Sequence, residues 1–392
     1  MDQGTKGEPG AAPSAAPVGE IPLGRRIVYL AVPFLLFFAV LGLAEIAVRQ
    51  TRPHLNTLEV FVQAPEQQRG FRDLHEVNVF EGDPLLFWRL APNLERVIWD
   101  FTPVTTNSQG LRYRTTVGRK KRGTFRIACF GDSVTFGYRV PVVWPERPEQ
   151  YDRGALPYPE LLEAVLRAAN PERDIEVIPM AVPGYSSHQG RAWAARDLSW
   201  LQPDVVTACY GWNDINLRQR TDRQTMDTSF RQVLLREMMT KSQALIYASL
   251  WWQRGHASAS SAPSADGEPT TRVLANEYVE NLQEIVRLAA TQGSKAVVIG
   301  PVYRDPTSEP GESERITAHR NRLRAAMTAD GTPYLEIPEL TETAWPGNER
   351  LFGEKIHPGF IGHRLMANRL LELMAARGML GGLKLPPPIP LE

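Results

Sequence analysis

Five short, continuous apolar runs, separated by longer stretches of helical periodicity, set the frame for this 392-residue sequence. The runs are Phe125–Phe130 (FRIACF), Ile175–Met180 (IEVIPM), Val205–Tyr210 (VVTACY), Ala296–Ile299 (AVVI) and Tyr334–Ile337 (YLEI). Helical stretches at Pro159–Ala169, Arg191–Leu201, Ala275–Ala290, Ser313–Met327 and Ile361–Ala376 follow or link them. In the third of these, Tyr278, Leu282, Ile285, Val286 and Ala289 recur at helical spacing. An apolar run without polar alternation is a strand buried on both faces. Strands that alternate with helices pair in parallel and carry the helices above and below. The expectation is an α/β fold, a three-layer sandwich around a central parallel sheet.

Composition narrows the partners. Hydrophobic residues make up 43% and charged residues 22%, ordinary values for a folded chain. Lys plus Arg and Asp plus Glu are both 44, so the net charge is zero and nothing electrostatic argues for nucleic acid. The basic run Arg119-Lys120-Lys121-Arg122 reads as a solvated linker. The 2 cysteines, Cys129 and Cys209, show no metal spacing, which excludes structural zinc. Both lie inside strand-like runs and read as buried free thiols, with a disulfide left open for an exported domain. Neither a P-loop nor a G-x-G-x-x-G after a strand is present, so no nucleotide is expected and no cofactor is implied.

Residues 1–26 are rich in Gly, Pro and Ala and read as a disordered tail. Ile27 to Ala44 then runs eighteen residues without a charge, enough to span a bilayer. No polar face interrupts it and no small-x-small cleavage site follows, so residues 27–48 read as a signal anchor rather than a cleaved signal. Arg25 and Arg26 before it and Arg49 and Arg52 after it nearly balance. The short N-terminal tail favours a cytoplasmic N-terminus and an extracytoplasmic main domain. Residues 49–118 form a membrane-proximal, strand-containing segment with a turn at Asn107-Ser108-Gln109-Gly110. Residues 119–380 are the main domain, and 381–392 a Pro-rich tail. An interruption at 213–272 holds a helical stretch near Phe230–Trp252 and the low-complexity HASASSAPSADGEP. It reads equally as a lid or as a tolerated surface loop.

In an open parallel sheet, ligands bind beyond the carboxyl ends of the strands. The first run is followed there by Gly131-Asp132-Ser133-Val134, the second by Pro183-Gly184-Tyr185-Ser186, and the third by Gly211-Trp212-Asn213-Asp214. The loop after the fifth delivers Glu354-Lys355-Ile356-His357-Pro358. These residue types suit acyl transfer. A serine hydroxyl needs an adjacent base, which His357 supplies. Attack on a carbonyl builds charge on oxygen, and the N–H groups of Ser133 and Gly184 and the amide of Asn213 can receive it. Glycine at 184 allows close approach of the backbone. A carboxylate three residues before His357 can orient its ring.

The four blocks, GDSV, PGYS, GWND and EKIHP, resemble in content and order those of the SGNH, or GDSL, hydrolase superfamily. The resemblance covers about residues 124–378. It implies a flavodoxin-like fold and ester hydrolysis. It also implies Ser133 as nucleophile, Gly184 and Asn213 as oxyanion donors and His357 as base. NSQGLRYR is similar to a segment that precedes this domain in membrane-anchored bacterial relatives. One residue departs from the pattern: the family's acid is Asp, and this chain has Glu354, one methylene longer.

The substrate expected is an ester, an O-acyl group on an envelope glycan or a lipid. An acyltransferase using the same serine and a non-catalytic glycan- or partner-binding domain are the alternatives. An α/β-hydrolase elbow is excluded by the lack of G-x-S-x-G. Taken singly, each residue has a plainer role: Ser133 as a helix N-cap, Asn213 and Asp214 as turn formers. His188 is the rival imidazole. His54, His75, His256 and His319 read as surface residues, Tyr185 and Trp212 as core or pocket wall. The Trp251-Trp252 pair reads as packing of the inserted helix, with contact to lipid or an apolar acyl chain as the alternative.

Overall fold

The computed structural model describes residues 1, 22–51, 58–61, 79–141, 148, 151–260, 269–304, 311–341 and 345–391. By contacts the chain divides into two units, residues 1–54 and 55–392. Among described residues the first unit is one helix, α1 (Leu23–Thr51), 29 residues long. At about 1.5 Å per residue it extends about 43 Å. Its apolar window has a mean hydropathy of 2.6, so it is long and apolar enough to cross a membrane. Of the tail expected to be disordered, residues 2–21 lie outside the described residues, as do His54 and His75.

The second unit is built on the five apolar runs. They form β1 (Phe125–Gly131), β2 (Ile175–Ala181), β3 (Val205–Cys209), β4 (Lys295–Ile299) and β5 (Tyr334–Leu335). All pair in parallel, in the order β5-β4-β3-β1-β2. This is the flavodoxin-like order. The chain begins inside the sheet, steps outward to β2, then crosses back past β1 to β3, which opens a crevice at the carboxyl ends of β1 and β3. β5 ends two residues earlier than its apolar pattern. It is an edge strand with one neighbour, and Pro338 opens a 3₁₀ turn (Pro338–Leu340) directly after Ile337.

Each strand divides its side chains between two cores. Ala128, Phe130, Val206 and Ala208 face a cluster that includes Trp193 and Leu198 of α3 (Ser187–Leu201). Tyr278, Leu282 and Ile285 of α6 (Ala275–Thr291) and Leu323 of α7 (Glu312–Ala329) belong to the same cluster. Ile127, Cys129, Val205 and Cys209 face the other cluster, with Leu162 and Leu166 of α2 (Tyr158–Ala169) and Met366 and Leu370 of α8 (Phe360–Ala376). The sheet is covered on both sides, which is why its strands carry no polar alternation. Cys129 and Cys209 are buried free thiols on one face. Burial pushes Cys129 up to about 12, so it stays protonated.

Residues 79–117 shelter the first of these faces. Phe80–Glu81 pairs antiparallel with Arg89–Leu90, and Val97–Trp99 with Thr102–Val104. Leu86, Trp88, Leu90, Val104 and Leu111 join the α3–α6 core. Asn107 makes the turn the sequence announces, its Oδ1 accepting the N–H groups of Gln109 and Leu111 at 2.9 and 3.0 Å. At Gly110, with φ +72°, a Cβ would lie 2.3 Å from the Leu90 carbonyl oxygen, so only glycine fits.

The interruption after β3 is closed at its base. Leu217–Arg218 pairs antiparallel with Thr270–Thr271. Just beyond, the buried Arg272 and Asp222 form an ion pair at 2.8 Å. Between these ends the expected single helical stretch is two helices, α4 (Phe230–Lys241) and α5 (Gln243–Ser260), broken at Ser242. Ile246 and Leu250 of α5 pack with Phe61. Trp251 and Trp252, expected to pack this helix, are instead 69% and 61% exposed, because they lie off the face that Ile246 and Leu250 bury.

Candidate active site

β1 ends in a turn that fixes one serine. A Cβ at Gly131 would fall 2.0 Å from Thr135 Oγ1 and 3.0 Å from the Cys209 carbonyl oxygen, so the backbone can bend here only as glycine. Asp132, rather than Ser133, caps the following helical turn Ser133–Phe136, its Oδ1 accepting the Val134 N–H at 2.9 Å. Ser133 is the first helical residue and stays half-buried between buried neighbours. Gly137 ends the turn at φ +77°. The carbonyls left open there are taken by buried Arg112, whose Nη1 donates to Phe136 O at 2.7 Å and Gly137 O at 3.0 Å. That arginine comes from the NSQGLRYR stretch.

The loop after β5 brings His357 to this turn. Its Nε2 lies 2.8 Å from Ser133 Oγ. Its Nδ1 is hydrogen-bonded to Glu354 Oε1, which also accepts the His357 backbone N–H at 3.1 Å. A donor on Nδ1 leaves the lone pair of Nε2 facing the serine hydroxyl, the tautomer a base requires. Burial pushes the Glu354 carboxyl up, but the hydrogen bond and charge of His357, with the Lys355 and Ile356 N–H groups, hold it below its ordinary range. The ring of Tyr138 lies over the imidazole, centroids 4.4 Å apart. Tyr138 is held by its hydroxyl on Asp100, whose carboxylate also takes Arg139 at 3.0 Å.

The other two blocks complete the edge. Gly184 follows β2 with φ +83°, a conformation natural to glycine. Asn213 opens a 3₁₀ turn after β3 (Asn213–Ile215). Its Nδ2 donates to the Tyr185 carbonyl oxygen at 3.0 Å and lies 3.4 Å from Asp132 Oδ2. Burial pushes Asp132 up to about 6, against the pull of the Val134 N–H and of His357. Asp214 is fully buried beneath Asn213. It accepts the Ser187 N–H at 3.0 Å and the Ser187 hydroxyl, and burial pushes it up to about 7. Among the described residues no group of His, Cys, Asp and Glu is arranged to hold a metal ion.

His188 is not the imidazole at the serine. It is buried on α3, with Nδ1 3.6 Å from Glu277. His319, read as a surface residue, is buried: its Nδ1 is 3.0 Å from the Arg315 carbonyl and its ring lies 5.2 Å from that of Tyr278. His363, which carries no signal in the sequence, is also buried and accepts the Tyr158 N–H on Nδ1 at 3.3 Å. Burial pushes it down to about 3, which keeps it neutral. Sequence reasoning also missed Tyr138, just past the serine turn, and Trp88, Asp100, Arg112 and Arg272, which act on the site loops from distant parts of the chain.

The family model described as GDSL-like lipase/acylhydrolase matches residues 129–365, more than half of the chain. The chain belongs to the GDSL-like lipase/acylhydrolase family. It is an SGNH-type hydrolase acting on ester bonds. No curated protein matches it. Among solved structures, LAE5, an α/β hydrolase enzyme from the metagenome of Lake Arreo, is similar at 19% identity and a TM-score of 0.41, over 65% of this chain and 96% of its own. Axe2, an acetylxylan esterase from Geobacillus stearothermophilus, is 16% identical with a TM-score of 0.41, over 65% and 96%. A lipase/acylhydrolase from Enterococcus faecalis is 17% identical with a TM-score of 0.40, over 67% and 99%. The family match begins four residues before Ser133, so residues 79–117 of this GDSL hydrolase lie outside it.

Proposed function

We propose that this GDSL hydrolase cleaves an O-acyl ester of an envelope glycan or lipid through an acyl-enzyme on Ser133. The observation that carries the reading is the unbroken relay from Glu354 through His357 to Ser133 Oγ at the carboxyl edge of the sheet. Ser133 Oγ attacks the ester carbonyl carbon as its proton passes to His357 Nε2. The carbonyl oxygen takes the electron pair and is met by the N–H groups of Ser133 and Gly184 and the amide of Asn213. Tyr185 O accepts one amide hydrogen of Asn213 at 3.0 Å and orients the group, while the other, on Asp132 Oδ2 at a longer 3.4 Å, is the one that turns to the oxyanion. Collapse expels the alcohol, protonated by His357. Water attacks the acyl-serine, giving its proton to His357, and the acid leaves.

The anchor belongs to the same reading. A 29-residue helix whose apolar window is preceded by Arg25 and Arg26 in its first turn supports a single-pass signal anchor with the hydrolase outside the cytoplasm, where acylated envelope polymers are found.

The test is fluorophosphonate labelling of the full chain with peptide mapping, alongside hydrolysis of p-nitrophenyl acetate. Label on Ser133, and loss of turnover in a folded Ser133→Ala variant, are expected. Full activity in that variant overturns the proposal.

A further inference from the structure

The proposed oxyanion donor at Gly184 sits on a residue with more conformational freedom than any other. Something must aim it. The Gly184 N–H and the Pro183 C=O are opposite ends of one planar peptide. Rotation of that peptide by half a turn would replace the donor with a carbonyl oxygen and repel the charge it has to meet. Pro183 O accepts the indole N–H of Trp88 at 3.3 Å. Trp88 is itself 1% exposed and fixed in turn: the Tyr185 hydroxyl donates to its backbone carbonyl, and the Tyr185 ring stands edge-on to it at 5.4 Å. The next peptide is held as well, since Arg272 Nη1 donates to Gly184 O at 2.9 Å. Arg272 is anchored by Asp222 at 2.8 and 3.0 Å.

We infer that Trp88 is a positioning residue for ester hydrolysis. By holding Pro183 O, it aims the Gly184 N–H at the developing oxyanion. A carbonyl that accepts a hydrogen bond also polarises its own amide, which strengthens the N–H as a donor. Trp88 lies outside the family match, so this chain has recruited its upstream segment to set an element of the shared chemistry. The inference rests on the proposed roles of Ser133 and Gly184.

The decisive experiment replaces Trp88 in the full chain with its isostere benzothienylalanine, which carries sulfur in place of the indole N–H. Trp88→Phe serves as a second variant, and melting temperature reports folding. The isostere keeps the packing and removes the donor. Donor misalignment costs less than removal of a donor, which lowers rates by about 10²–10³. The expected result is a kcat on p-nitrophenyl acetate about tenfold lower with KM unchanged. Affinity for a boronic-acid transition-state analogue falls by the same factor, and the melting temperature is retained. Unchanged kcat and analogue affinity in the folded isostere, with Asn213→Ala and Ser133→Ala impaired in the same assay, overturns the role of Trp88 alone. Activity in Ser133→Ala overturns the functional reading and this inference together. A rise in KM without a fall in kcat also overturns it, because that pattern belongs to substrate binding.

Discussion

Glu354 shows how a one-methylene departure is absorbed. A longer acid three residues before the base can reach too far. Here its Oε1 takes both the backbone N–H of His357 and Nδ1, so the extra length closes a tight local loop instead of displacing the ring. Glu354→Gln keeps the size but offers an amide that can present N–H to Nδ1 and select the wrong tautomer. Its kcat should fall by about 10²–10⁴, by analogy with loss of the orienting carboxylate in Ser-His-Asp sites. Steady-state kinetics on p-nitrophenyl acetate check this, and an unchanged kcat would remove Glu354 from the relay. The placement of Ser133, Gly184, Asn213 and His357 at one sheet edge was legible because each sits just past a recognisable apolar run or before a closing helix. Trp88 was not. Its role depends on a peptide bond 95 residues away, and no local pattern encodes that. His319 misled for a different reason: it falls at helical spacing between the buried Ile316 and Leu323 of α7, but a lone imidazole without a partner pattern reads as a surface residue.

At the level of elements, runs and periodicity located all five strands and the helices that cover them. Boundaries moved where a feature outside the pattern intervened, as at Pro338 after β5 and at Ser242 between α4 and α5. The turn after β3 carries a cost that the sequence did not reveal. Asp214 reads as a turn former, yet it is wholly buried and pushed up to about 7 from an ordinary 3.8. A carboxyl whose folded value is raised favours folding while protonated. That stability is complete below about pH 4 and lost as pH rises through about 7. Asp214→Asn cannot ionise. The melting temperature of the variant minus that of the parent should therefore climb between pH 4 and 7 and level off above. Thermal unfolding monitored across this range is the check, and a flat difference would show that Asp214 titrates normally.

For the whole molecule, the two units differ in what they do with their apolar side chains. α1 has no polar face and its apolar window is unburied, whereas the second unit keeps its apolar side chains in two cores around the sheet. If α1 is an anchor, the full chain should stay in the membrane pellet through alkaline carbonate extraction. Release into the supernatant would show that the helix does not span. The sequence showed this division through one uncharged stretch, and it showed the hydrolase through four blocks. It did not show how far residues 79–117 are built into the enzyme, because their short strands have little periodicity of their own.

The closed base of the interruption has a consequence for variation. Its two ends meet in the antiparallel pair Leu217–Arg218 with Thr270–Thr271, and the Asp222–Arg272 bridge locks them just beside the glycine loop. Whatever chain is threaded between these ends starts and finishes at the same spacing. Descendants of this gene can lengthen, shorten or exchange the intervening helices while the reaction centre keeps its shape, which makes the stretch a natural cassette for retuning what the enzyme accepts.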